Sequence, residues 1–177
     1  KMGEFKPKDF SEKRYIDELK DGIVRVDSTI GNNDVKLFER DVAEILRLNP
    51  KIKNIKIIIS SNGGEAYSAL GIYDCIKELH KKGIKTEGIA RGVAASAASM
   101  IILQACDIRK ATENTRLLIH EVRQWNFGYD RLSDVKDKVG EMEKLTNIVY
   151  NILAVKCKKS RAEINKVIER KEVWMSA

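Results

Sequence analysis

Ser96 lies in the middle of a run of small residues, Gly92-Val93-Ala94-Ala95-Ser96-Ala97-Ala98-Ser99, which leads into the apolar stretch Met100-Ile101-Ile102-Leu103. Residues 84–91 before it partly alternate as a strand does, so the pattern reads as a strand turning at glycine into a helix. The first N–H groups of a helix have no intrahelical partner, and the positive end of its dipole lies there. A serine at that point has the surroundings that a nucleophilic hydroxyl and a developing oxyanion both need. A packing reading competes: Ala-Ala-Ser-Ala-Ala-Ser also lets a buried helix approach its neighbours closely. Ser99, one turn on and on nearly the same face, is a second hydroxyl, but a serine deeper in a helix bonds back to a carbonyl. Ser96 is the expected nucleophile.

A serine nucleophile needs a base, and the chain has only two histidines. His80 lies in Lys77-Glu78-Leu79-His80-Lys81-Lys82-Gly83, the basic last turn of a helix closed by glycine, where dipole and solvent account for it. His120 follows the apolar Arg116-Leu117-Leu118-Ile119 and precedes a polar, aromatic segment running from Glu121 to Tyr129. A strand end opening into a loop is a common address for catalytic side chains, which makes His120 the better base. A third segment, Ser60-Ser61-Asn62-Gly63-Gly64-Glu65, follows the β-branched run Ile55–Ile59. Paired glycines there let a backbone approach a ligand and turn its N–H groups outward, although a plain tight turn needs the same residues.

The elements that must hold these residues alternate. The pattern predicts a strand over 22–30, a helix over 36–48 stopped before Pro50, a strand over 55–59 and a helix over 65–82. A strand over 84–91, a helix over 94–105 and short strands near 107–110 and 115–119 follow. This βαβ order predicts an α/β fold with a mostly parallel, helix-covered sheet in one domain over residues 22–177. Residues 1–21 are charged, contain Pro7 and read as a mobile or partner-ordered arm. Leu132, Val135, Val139, Met142, Leu145, Val149, Ile152 and Val155 form an apolar stripe on one long helix, about 130–157. Ser160-Arg161-Ala162-Glu163 is a capping-box start for a last helix, with Ile164, Val167 and Ile168 turned inward.

Four ordered segments, Ser60-Ser61-Asn62-Gly63-Gly64, Gly92-Val93-Ala94-Ala95-Ser96, Leu117-Leu118-Ile119-His120 and Glu172-Val173-Trp174-Met175-Ser176-Ala177, resemble the ClpP-like serine peptidase family, the proteolytic subunits of Clp protease. That family runs from an Asn-Ser-Pro-Gly-Gly loop through Gly-x-Ala-Ala-Ser to a strand ending in Met-Ile-His. It then reaches an acidic residue before an aromatic-x-Ser/Thr-Ala segment. The resemblance implies a ClpP/crotonase-like fold of repeated βαβ units with a protruding, handle-type helix. It implies Ser96 as nucleophile, His120 as general base, Glu172 as the carboxylate that orients the histidine, and the backbone N–H groups of Gly64 and Ala97 as the oxyanion hole. No metal, nucleotide or organic cofactor is implied.

Ala94-Ala95-Ser96-Ala97-Ala98-Ser99 and Glu172-Val173-Trp174 are most similar to the phage head-maturation (prohead) branch, whose substrates would be capsid or scaffold proteins. The housekeeping alternative is a subunit fed by an AAA+ unfoldase. Either way the resemblance implies self-association into rings, seven-fold and stacked in pairs in the family's usual state. Two departures stand out: Asn62 replaces the loop proline, which removes a fixed φ, and Glu172 is one methylene longer than the family's aspartate. Family members continue past Ser176-Ala177, so the C-terminal end of the family domain is not covered.

Composition bounds the other classes. The net charge of +7 is interspersed along helices and at their ends, without the aromatic interleaving of single-strand binders, which argues against nucleic acid. No apolar run approaches the ~20 residues of a membrane span, and no signal-type segment opens the chain. Cys75, Cys106 and Cys157 are odd in number and lack a Cys-x-x-Cys pair, so the expected compartment is a reducing cytoplasm; the resemblance implies that of a bacterium, with the gene carried by a prophage. Two further readings remain: a coenzyme A thioester enzyme on the same superfold, and a catalytically silent, ring-forming assembly protein.

Overall fold

The computed structural model of the chain describes residues 10–123 and 131–177, so residues 1–9 of the expected arm and part of the aromatic segment after His120 lie outside the described residues. The order of elements is α1 (Phe10–Lys20), β1 (Ile23–Val26), α2 (Asn32–Leu48), β2 (Asn54–Ser61), α3 (Ala66–Lys81) and β3 (Lys85–Ala95). A π-helical turn, Ala98–Ile102, then runs into the short α4 (Leu103–Ala105). β4 (Ile108–Ala111), β5 (Arg116–His120), α5 (Leu132–Cys157), α6 (Arg161–Ile168) and β6 (Glu172–Ser176) complete the chain.

The six strands form one sheet in the order β1-β2-β3-β5-β6, with β4 also on β3. All pairings are parallel except β5 with β6. The fold is therefore α/β with helix-covered parallel strands, as the strand–helix alternation predicts. Ile55, Ile57 and Ile59 of β2 are fully buried and pack with Ile72, Ile76 and Leu79 of α3 in one core. The i, i+4, i+7 spacing of those α3 residues is why this segment is helical and faces the sheet.

Several boundaries differ from the sequence reading. Residues 10–20 form helix α1, with Leu19 buried in the core and Glu18 bonded through both carboxylate oxygens to Arg25 at 2.7 Å. α2 starts at Asn32 because the Asp34 carboxylate accepts the Gly31 N–H at 2.9 Å. β1 ends at Val26, and Ile30 returns as an isolated bridge to Gly64. β3 continues through Gly92, which takes φ +67°, as far as Ala95. Ala94 finds partners on both sides, Ser61 of β2 and Leu117 of β5, and Ala95 pairs with Leu118 of β5. The helix expected from residue 94 therefore begins only after Ser96. The strand–helix junction falls on the serine itself.

The long helix α5 has the expected extent, but its apolar stripe divides. Leu145 and Val149 are buried with Tyr150 and Leu153, whereas Leu132, Val135 and Val139 are 72%, 43% and 49% exposed. Val155 is also exposed, the interior place being taken by Leu153. In α6 the capping box forms, with Ser160 Oγ accepting the Glu163 N–H at 3.2 Å and Glu163 accepting the Ser160 N–H at 2.8 Å. The Ser160 N–H and hydroxyl and the Lys159 ammonium, which donate to this carboxylate, hold the Glu163 acid down to about 2. Ile164 and Ile168 face inward as expected, while Val167 sits at the edge of that face and is half exposed. None of the helices described is long and apolar enough to cross a membrane.

Candidate active site

Ser96 occupies the left-handed region at φ +53°, one of three non-glycine residues with positive φ among those described. A β-carbon is strained there, so the surrounding structure must enforce it. It does so through the main chain: the Ser96 N–H donates to Leu118 O at 3.0 Å, and the Ser96 carbonyl accepts the N–H groups of Ser99 and Met100 at 3.1 and 2.8 Å. The chain thereby turns from β3 into the π-helical turn within one residue, a device often found at functional sites. Ser99 is buried, and its hydroxyl bonds back to the carbonyls of Ser96 and Leu118. The bond to Ser96 is the back-bonding expected of a serine inside a helix, and the bond to Leu118 ties the turn to β5.

His120 ends β5, and its Nε2 lies 2.9 Å from Ser96 Oγ. Its Nδ1 meets the carbonyl of Glu121. A carbonyl can only accept, so Nδ1 carries the proton and Nε2 presents a lone pair to the serine hydroxyl. This is the tautomer a general base requires. His80 is elsewhere, at the far end of α3 from the cavity-lining Ala66 and Tyr67. Its Nε2 is 2.7 Å from Thr86 Oγ1 and 3.0 Å from Asp107, a half-buried structural contact rather than a solvated helix end. Burial holds His80 below the usual imidazole range, against the opposing pull of Asp107.

The glycine pair approaches the same junction. Gly63 has φ +94°, and a β-carbon on it would meet Ala95 O and Ser96 Cβ at 2.7 Å and the Ala97 nitrogen at 3.1 Å. Gly64 has φ +151°, and a β-carbon there would drive into the Ile30 backbone. Ile30 donates to Gly63 O at 2.9 Å and accepts the Glu65 N–H at 2.8 Å, so the intervening Gly64 N–H takes no part in the bridge. Without the family's proline, the loop is stapled by Ser61, whose hydroxyl accepts the Gly63 N–H at 3.1 Å and donates to Ser28 O. Residue type alone did not single out Ser61.

Glu172 lies directly opposite His120 in the antiparallel register of β5 and β6. Its carboxylate, however, accepts from Arg123 Nη2 at 2.6 Å and is not on His120 Nδ1. Ser96, His120 and the glycine loop are thus brought together, and the Glu172 side chain is turned to a neighbouring cation. Arg123 was missed in the sequence because it falls in an irregular stretch with no pattern to mark it.

Ser96, His120, Gly64 and Ala97 open into one cavity of about 1020 Å³. Its inner wall is apolar, with Met100, Ile101, Leu145 and Val149, and its mouth carries Glu65, Arg123 and Glu141. The Tyr67 hydroxyl bonds to Glu141 across that mouth, joining α3 to α5. Among the described residues no group of histidine, cysteine and carboxylate side chains has the arrangement of a metal site.

This constellation of serine, histidine and glycine loop can be set against known proteins. The Clp protease family model matches residues 11–177. The chain is 32% identical over 123 residues to ATP-dependent Clp protease proteolytic subunit 2 of Frankia casuarinae, covering 69% of this chain and 54% of the relative. It is 31% identical to the ATP-dependent Clp protease proteolytic subunit of Bacteroides thetaiotaomicron, covering 71% and 54%. With ATP-dependent Clp protease proteolytic subunit 1 of Salinibacter ruber it shares 30% over 162 residues, covering 90% and 66%. The chain spans about half the length of the first two of these relatives. On the extent of the family match, the chain belongs to the Clp protease family.

Proposed function

We propose that the chain is a serine endopeptidase that cleaves peptide bonds through an acyl-enzyme on Ser96. The observation that carries the reading is the 2.9 Å approach of His120 Nε2 to Ser96 Oγ at a junction where the serine is held in a left-handed turn. His120 takes the hydroxyl proton as Ser96 Oγ attacks the substrate carbonyl, and the N–H groups of Gly64 and Ala97 receive the oxyanion. Collapse expels the amine, which leaves with the proton from His120. Water, deprotonated by the same histidine, then releases the acid and restores the serine. Glu172 is the carboxylate in reach of the imidazolium that forms. The apolar inner wall suits an uncharged side chain of the substrate beside the scissile bond.

The exposed Leu132, Val135 and Val139 of α5 support self-association, and the family resemblance supports rings of seven. Native mass spectrometry counts the subunits. The names of the relatives favour a subunit coupled to an ATPase unfoldase, whereas the details around Ser96 and Glu172 favour head maturation of a phage or prophage in the bacterial cytoplasm. ATP-dependent loss of a folded substrate only when an unfoldase is present supports the first; ATPase-independent cleavage of a capsid or scaffold protein supports the second.

The test is intact-mass analysis after treatment with a fluorophosphonate. One adduct per chain, absent from Ser96→Ala and retained in Ser99→Ala, is the expected result. An assembled oligomer that takes no adduct overturns the reading and favours the silent assembly protein, the alternative to which the diversion of Glu172 lends weight. A rise in thermal stability with a coenzyme A thioester would favour the third class.

A further inference from the structure

The antiparallel register puts His120 and Glu172 opposite each other, and side chains so paired lie on one face with their β-carbons about 4.5–5.5 Å apart. A glutamate in that position has the length to reach the ring, yet its carboxylate is engaged by Arg123 and the ring's Nδ1–H by the Glu121 carbonyl. The two acceptors are not equivalent. A carbonyl fixes the tautomer, but only a carboxylate offsets the positive charge that the imidazole gains when it takes the serine proton. The Arg123 side chain is 62% exposed and that of Glu172 48%, so their ion pair is screened and readily exchanged.

We propose that Arg123 is a positioning residue that holds Glu172 away from His120 at rest, so that transfer of the carboxylate from Arg123 to the histidine is the step that completes the site. The inference rests on the peptidase reading above. It explains how a glutamate can stand opposite the histidine and still be absent from its ring. Glu121, next to His120 in the chain, and Glu65 and Glu141, which line the same cavity as His120, are common to all the variants below.

The test measures the rate of fluorophosphonate labelling against pH for the full chain and for Arg123→Gln, Arg123→Lys, Glu172→Gln and the Arg123→Gln/Glu172→Gln double variant. Arg123→Gln is expected to label about two- to fivefold faster, the range that loss of an exposed ion pair corresponds to. Its rising limb is expected to move to higher pH, because a carboxylate beside the ring favours the protonated form. Arg123→Lys keeps the charge and is expected to behave as the parent. In the Glu172→Gln background the Arg123→Gln change is expected to alter neither rate nor limb. An unchanged limb in Arg123→Gln, slower labelling, or an effect that persists without Glu172 each overturns the proposal while leaving the serine assignment intact. A chain that takes no label in any variant, at any pH, overturns the peptidase reading and this proposal with it.

Discussion

The two halves of the candidate site are held in different ways. At the Ser96 junction every constraint is main chain or close packing: the serine N–H on Leu118 O, the serine carbonyl under the next turn, and Gly63 pressed against Ser96 and Ala95. At the Glu172 end, β6 pairs with β5 along one side, and the Glu172 carboxylate is held by an exposed ion pair with Arg123. Ser96 and His120 are therefore held from several directions, and the Glu172 carboxylate is adjustable. The geometry predicts a graded response to substitution, steep at the first region and shallow at the second.

Ser96→Ala is the largest expected effect, a fall of about 10⁴–10⁶-fold in peptide hydrolysis with no adduct in the mass spectrum. Label migrating to Ser99 instead would break the comparison, since it would mean the junction can be rebuilt. Gly63→Ala comes next. The new β-carbon is strained at φ +94° and has nowhere to go, so unfolding should be easier by about 1–3 kcal/mol and labelling at least about tenfold slower. Thermal unfolding and labelling rates on the same sample check both. Glu172→Gln is expected to slow labelling by less than about tenfold, against the ~10⁴ cost where a buried aspartate is fixed on the histidine. A loss of several hundredfold would show the acid to be as firmly placed as the base. Ser160→Ala, which uncaps the helix leading into β6, should cost about 1 kcal/mol of stability and leave the labelling rate unchanged.

What could be read in the sequence follows the same division. β-branched runs and three- to four-residue apolar steps located nearly every strand and helix, because burial on one face writes itself into spacing. Ser96, His120 and the glycine pair were legible because a left-handed turn, a strand end and a close backbone approach each demand particular residues. The strand–helix junction was misplaced at Gly92 because a glycine inside a strand and a glycine ending one look alike; only the pairing of Ala94 with β2 and β5, and of Ala95 with β5, carries them into the sheet. α1 was read as an arm since its many charges hide the buried Leu19. The β5–β6 pairing and the Arg123 contact were not legible at all. Both depend on which distant segments meet, and Glu172 is as ordinary a surface glutamate in sequence as any other.

The hydrogen bond from His120 to the Glu121 carbonyl has a consequence for how such chains diverge. A peptide carbonyl cannot be deleted by a point mutation, so the proton stays on the correct ring nitrogen whatever occupies position 172. An ancestor could exchange its acid for a longer one, or lend it to a nearby arginine, and lose speed without losing the ability to react. The demand that the proposed mechanism places on residue 172 is correspondingly lighter. A chain sorted as dead on the identity of that residue alone can still be a working hydrolase.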